Sequence, residues 1–62
     1  MNYQQIYDKI IKLAQDGYYD RYTYFEKHHI IPRSEGGSNK KSNKVKLPMK
    51  AHHLCHLLLI KM

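Results

Sequence analysis

A chain of 62 residues with a single cysteine, Cys55, cannot staple itself with an internal disulfide. A domain of that size buries only about 60% of the surface its unfolded chain exposes, so something besides a hydrophobic core has to help hold it. The staples left are a bound metal, a second copy of the chain, or residues supplied by a longer parent. All five histidines fall on two short stretches, His28-His29 and His52-His53 with His56. Imidazole ligates metals and moves protons near neutral pH, which puts a metal first among the staples.

Eleven Lys and Arg residues stand against five Asp and Glu, for a formal charge of +6. The excess lies between Arg21 and Lys50, while the stretch before it is close to neutral. That asymmetry suits an extended anion such as nucleic acid and, less directly, a membrane surface. From charge alone, a solvated lysine-rich loop is the plainer alternative. No stretch approaches the ~18 apolar residues of a membrane span, and the N-terminus lacks the order of a signal peptide. A soluble, cytoplasmic protein is expected.

Asn2 followed by Gln5 has the form of a capping box, and Tyr3, Ile6, Tyr7, Ile10, Leu13 and Ala14 then recur at helical spacing. An amphipathic helix over Tyr3 to Gln15 is predicted, with Ile11 outside the pattern and Gly17 as a left-handed stop. Its tyrosines are read as packing residues rather than a stacking surface for bases. Thr23 to Ile30 is dense in aromatic and β-branched residues and reads as a strand ended by Pro32. Successive strand side chains face opposite ways, so His28 and His29 are expected to do different jobs in different directions.

Arg33 to Ser42 has loop chemistry, and its composition alone favours a flexible basic linker. It is too short to separate domains and is expected to join two strands, the second being Val45-Lys46-Leu47. Pro48 fits the first turn of a helix running on through Ile60, with no good capping residue before it. On that helix His52 and His56 lie about 40° apart and one turn up, which makes them the natural chelating pair. Cys55 stands as a substitute ligand and His53 as an outer candidate. Leu57, Leu58, Leu59 and Ile60 point in four directions, so the last turn wants cover all round, from a longer protein or from a second copy paired through this helix.

Two adjacent histidines before Ile30-Ile31-Pro32, a Gly36-Gly37 loop, Asn43 opening a second strand and His52-x-x-x-His56 on a helix together resemble the HNH endonucleases. The likeness is to the small phage-type, homing-like members with a Glu-Lys-His-His-Ile-Ile-Pro-Arg-Ser signature, here Glu26 to Ser34. It covers Glu26 to His56. The resemblance implies an α+β chain with the ββα-metal (His-Me finger) fold and an additional N-terminal helix. Residues 1–22 would form the helix and turn, and 23–62 the nuclease core. Relatives with this signature usually continue into a DNA-binding region, which this chain is expected to lack.

By the same resemblance, His28, His52 and His56 match the ligands of one divalent ion, His29 the general base, and Asn43 the residue that holds the ββα turn and the base in place. Glu26 is similar to an acidic position that supports a metal-bound histidine. Three imidazoles favour Zn, Ni or Mn over Mg, although some family members use Mg. Arg33, Lys40, Lys41, Lys44 and Lys46 are the expected phosphate contacts on double-stranded DNA. The activity implied is metal-dependent phosphodiester hydrolysis in a phage-infected or bacterial cell. A non-catalytic metal-stabilised DNA-binding module, or an inactive remnant of a mobile-element nuclease, is the alternative. Pro48 and Ala51 depart from the family pattern at the start of the helix.

Overall fold

A computed structural model describes residues 1–62. Helix α1 spans Tyr3–Gln15, strands β1 and β2 span Glu26–His29 and Lys44–Leu47, and helix α2 spans Met49–Lys61. The chain is therefore α+β, and the order β1, β2, α2 is consistent with the ββα arrangement that the resemblance implies.

Helix α1 starts and stops where its sequence says. Asn2 Oδ1 accepts from the Gln5 backbone N–H at 3.0 Å, satisfying one of the free amides of the first turn. At the other end Tyr18 N–H donates to Leu13 O at 2.9 Å and Gly17 N–H to Ala14 O at 3.2 Å. That closure needs a left-handed residue, and Gly17 has φ +84. Ile11, expected to lie off the apolar stripe, is buried instead. The stripe widens because α1 packs on both β2 and α2, so Ile11 joins Tyr7 and Ile10 in the core.

The first strand is shorter than Thr23–Ile30. The antiparallel register pairs Glu26 with Leu47, Lys27 with Lys46, His28 with Val45 and His29 with Lys44. Beyond Leu47 comes Pro48, which has no N–H to extend the ladder, so Thr23 to Phe25 find no partner strand. Pro48 stands just before α2 as its cap residue, with φ -59, rather than inside its first turn, and no side chain caps that end. The segment from Arg33 to Ser42, expected to join two strands, lies between paired β1 and β2 and contributes to two 3-10 turns, Arg33–Glu35 and Lys41–Asn43.

Tyr7, Ile10 and Ile11 of α1 meet Val45 and Leu47 of β2 and Cys55 and Leu58 of α2 in one core. Burying side chains of this size stabilises by about 1.5–3 kcal/mol each, a modest total for a domain. Of the apolar end of α2, Leu58 is buried while Leu57 and Ile60 stay exposed. No helix is long and apolar enough to cross a membrane.

Candidate functional site

Strand alternation separates the two adjacent histidines. His28 lies on the inner face with Val45 opposite it and is buried, whereas His29 lies on the outer face with Lys27, Lys44 and Lys46. His52 and His56 stand one turn apart on α2, the helix that covers the inner face. His28, His52 and His56 each offer a ring nitrogen, and these nitrogens all lie within 4.8 Å of one another. The rings meet edge to face, with His28 centred 5.1 Å from His52 and 5.5 Å from His56.

Two rings of the cluster, His28 and His52, are held from outside. His52 Nδ1 donates to Glu26 Oε1 at 2.8 Å, which leaves its Nε2 free, 3.0 Å from His56 Nε2. The His52 bond, aided by Tyr24 Oη donating to Glu26 Oε2, holds the Glu26 carboxyl below the usual range against the opposing effect of burial. Tyr7 Oη lies 2.7 Å from His28 Nε2 and donates to the Ile30 carbonyl, also at 2.7 Å. Burial, then the nearby Cys55 and Asp8, pushes the Tyr7 phenol up to about 12, so it keeps its proton. Burial and the neighbouring His52, His56 and His29 pull His28 down to about 4.

A donor set of three imidazoles suits a borderline cation. Metal-bound histidines characteristically give their second nitrogen to a carboxylate or other acceptor, and the Glu26–His52 pair has that form. At the centre of the cluster His56 Nε2 lies 3.0 Å from the lone pair of His52 Nε2, a gap bridged by a proton on His56 or, in its place, by a cation. The residues present therefore fit a divalent ion. Cys55 does not join them: it faces the core, fully buried, and burial pushes its thiol up to about 11. His53 is exposed on another side of α2.

An open cleft is lined by His28, His29, His52 and His56 together with Arg33 and Lys27. His29 Nε2 donates to Asn39 Oδ1 at 3.1 Å. Asn43, expected to hold the ββα turn and the base in place, is buried and grips the loop backbone. Its Oδ1 accepts from Ile31 N–H at 2.9 Å, and its Nδ2 donates to Ile31 O and Ser38 O. Ile30 N–H donates to Asn43 O at 2.8 Å, so Asn43 fixes the chain just after His29 and reaches the ring only through that backbone.

Among the expected phosphate contacts, Arg33 shares the cleft with the histidines. Lys41, Lys44 and Lys46 line a neighbouring depression, and exposed Lys40 lines neither. Lys27 borders both hollows and was not singled out from the sequence. The signal was its alternation with His28, which a strand starting at Glu26 turns into an outward position. Asn39 and Tyr7 were also missed, the first inside a polar loop and the second on an apolar stripe.

The chain is 46% identical over 61 residues to probable mobile endonuclease E of Enterobacteria phage T4, matching 98% of this chain and 43% of that protein. It is likewise 46% identical over 63 residues to probable mobile endonuclease C of the same phage, covering 30% of it, and 44% identical over 64 residues to probable mobile endonuclease B. The chain thus spans less than half the length of the curated relatives it matches. No family model and no solved structure matches it. The likeness to phage homing-type endonucleases read from Glu26 to His56 extends in these relatives over nearly the whole chain.

Proposed function

We propose that this chain is the HNH-type catalytic core of a metal-dependent DNA endonuclease, with His29 as general base and His28, His52 and His56 as ligands of one divalent ion. The observation that carries the reading is the convergence of three imidazole nitrogens within 4.8 Å in a cleft that His29 also lines. A divalent ion bound there supplies Lewis-acid stabilisation of charge on the phosphate and the departing 3′ oxygen.

The chain's own residues do the rest. His29 donates its Nε2–H in a hydrogen bond to Asn39 Oδ1, so Nδ1 carries the lone pair that takes a proton from the attacking water. The water oxygen bonds to phosphorus, the bond to the 3′ oxygen breaks, and that oxygen takes up a proton from solvent, giving 5′-phosphate and 3′-hydroxyl ends. Arg33, in the same cleft, suits bidentate contact with a phosphate. Lys40, Lys41, Lys44 and Lys46 extend the positive surface along the duplex backbone and carry no sequence information. Asn43 holds the turn that sets the position of His29, and Glu26 orients His52.

The test is cleavage of supercoiled plasmid by the wild type and by His29→Ala, with bound metal measured in both. Metal content should be unchanged and cleavage reduced by about 100- to 10,000-fold, the usual worth of a general base. Undiminished cutting by the variant would refute the role of His29, and a wild type that binds DNA but never cuts would leave only a binding module.

A further inference from the structure

Tyr7 sits on α1, outside the ββα unit, yet its hydroxyl touches the cluster. It is 3% exposed, and Oη has two neighbours, the Ile30 carbonyl and His28 Nε2, each at 2.7 Å. A phenol has one proton to give. The carbonyl can only accept, so the O–H goes to Ile30, and the contact with the imidazole needs a proton from the ring. Nε2 of His28 therefore carries the hydrogen and Nδ1 carries the lone pair. Turning the hydroxyl toward the ring would instead bring two oxygens together at 2.7 Å with no proton between them.

We infer that Tyr7 is a positioning residue that locks His28 in its Nε2–H tautomer, so that Nδ1 is the atom it presents to the cation shared with His52 and His56. The inference rests on the metal reading above. Glu26 does the complementary job for His52, fixing hydrogen on Nδ1 and freeing Nε2. Two of the three rings are thus set by partners from different parts of the chain, one from α1 and one from the start of β1. This gives the N-terminal helix a role beyond packing. The strongest signal is its sequence distance, since Tyr7 and His28 are 21 positions apart.

The test begins with the metal-free wild type, using long-range 15N–1H spectra of the histidine rings at about pH 8, above the ordinary imidazole range. His28 should show the Nε2–H pattern, and an Nδ1–H pattern would overturn the inference without any variant being made. Tyr7→Phe keeps the ring in the core but leaves Nε2–H without an acceptor, so His28 should move toward Nδ1–H and zinc affinity should fall by about 10- to 100-fold. Unchanged spectra and unchanged zinc affinity in a folded Tyr7→Phe protein would overturn it as well. If the wild type bound no zinc, the metal reading and the aim of Nδ1 at a cation would both fall. The Nε2–H pattern would then report the tautomer lock separately.

Discussion

Glu26 and His52, 26 positions apart, are joined by a 2.8 Å hydrogen bond that ties the first residue of β1 to the first turn of α2. The bond fixes which nitrogen of His52 faces its neighbours and so ties the donor set to the packing of strand on helix. Glu26→Ala should leave the fold intact, because the carboxylate is not part of the core, and should lower zinc affinity by about 10- to 100-fold. Competition against a chromophoric chelator measures this, and equal affinity in variant and wild type would remove Glu26 from the site.

Lys27 and Lys46 stand directly opposite each other on the outer face of the sheet. Like charges in that position destabilise a ladder, so the pair is a cost to the free protein that a bound phosphate would relieve. Lys27→Ala should weaken duplex binding about equally for all sequences and lower the slope of log affinity against log salt by about one. Thermal stability at low salt should rise slightly. A variant with unchanged salt slope would show that this face does not meet the backbone.

Acid should unfold the metal-free protein through His28. Its folded value of about 4 lies below the ordinary 6.5, so between those two points the unfolded chain binds a proton that the folded chain refuses. Stability then increases with pH across that window: the contribution is complete above the ordinary value and is lost as pH falls toward 4. At about 1.4 kcal/mol per tenfold change in proton affinity, the loss is roughly 3 kcal/mol. Urea titrations of chelator-treated protein should show the midpoint falling over this range, and His28→Gln should flatten the trend.

Gly37 is demanded by close packing rather than by its backbone angle. A Cβ there would overlap the Ile31 carbonyl oxygen and lie 2.9 Å from Asn43 Nδ2, whereas one on Gly36 would meet nothing. Gly37→Ala should therefore break the Asn43 grip on the loop and cost about 1–3 kcal/mol, the usual penalty of overpacking. Gly36 has φ +89, so its replacement by Ala pays a backbone penalty of about 1–2 kcal/mol but leaves Asn43 in place. Melting curves measure the stability loss of each, and the amide signals of Asn43 should move only in Gly37→Ala.

The sequence by itself determined what depends on neighbours a few positions away. The span of α1, set by the Asn2 cap and the Gly17 stop, the opposite facing of His28 and His29, and the one-turn spacing of His52 and His56 all follow from caps, turn residues and the periods of helix and strand. The family signature from Glu26 to His56 added the expectation that these histidines converge. Only the tertiary structure decided which residues hold them. Tyr7 reads as one more apolar-stripe residue until α1 packs beside Ile30, and Lys27 reads as a solvated charge until the register sets it against Lys46. The same holds for Ile11 and Cys55, whose burial depends on α1 lying across both β2 and α2. Local periodicity fixes the direction of a side chain from its own element, but its partner is chosen by how the elements cross, and no short window of sequence contains that angle.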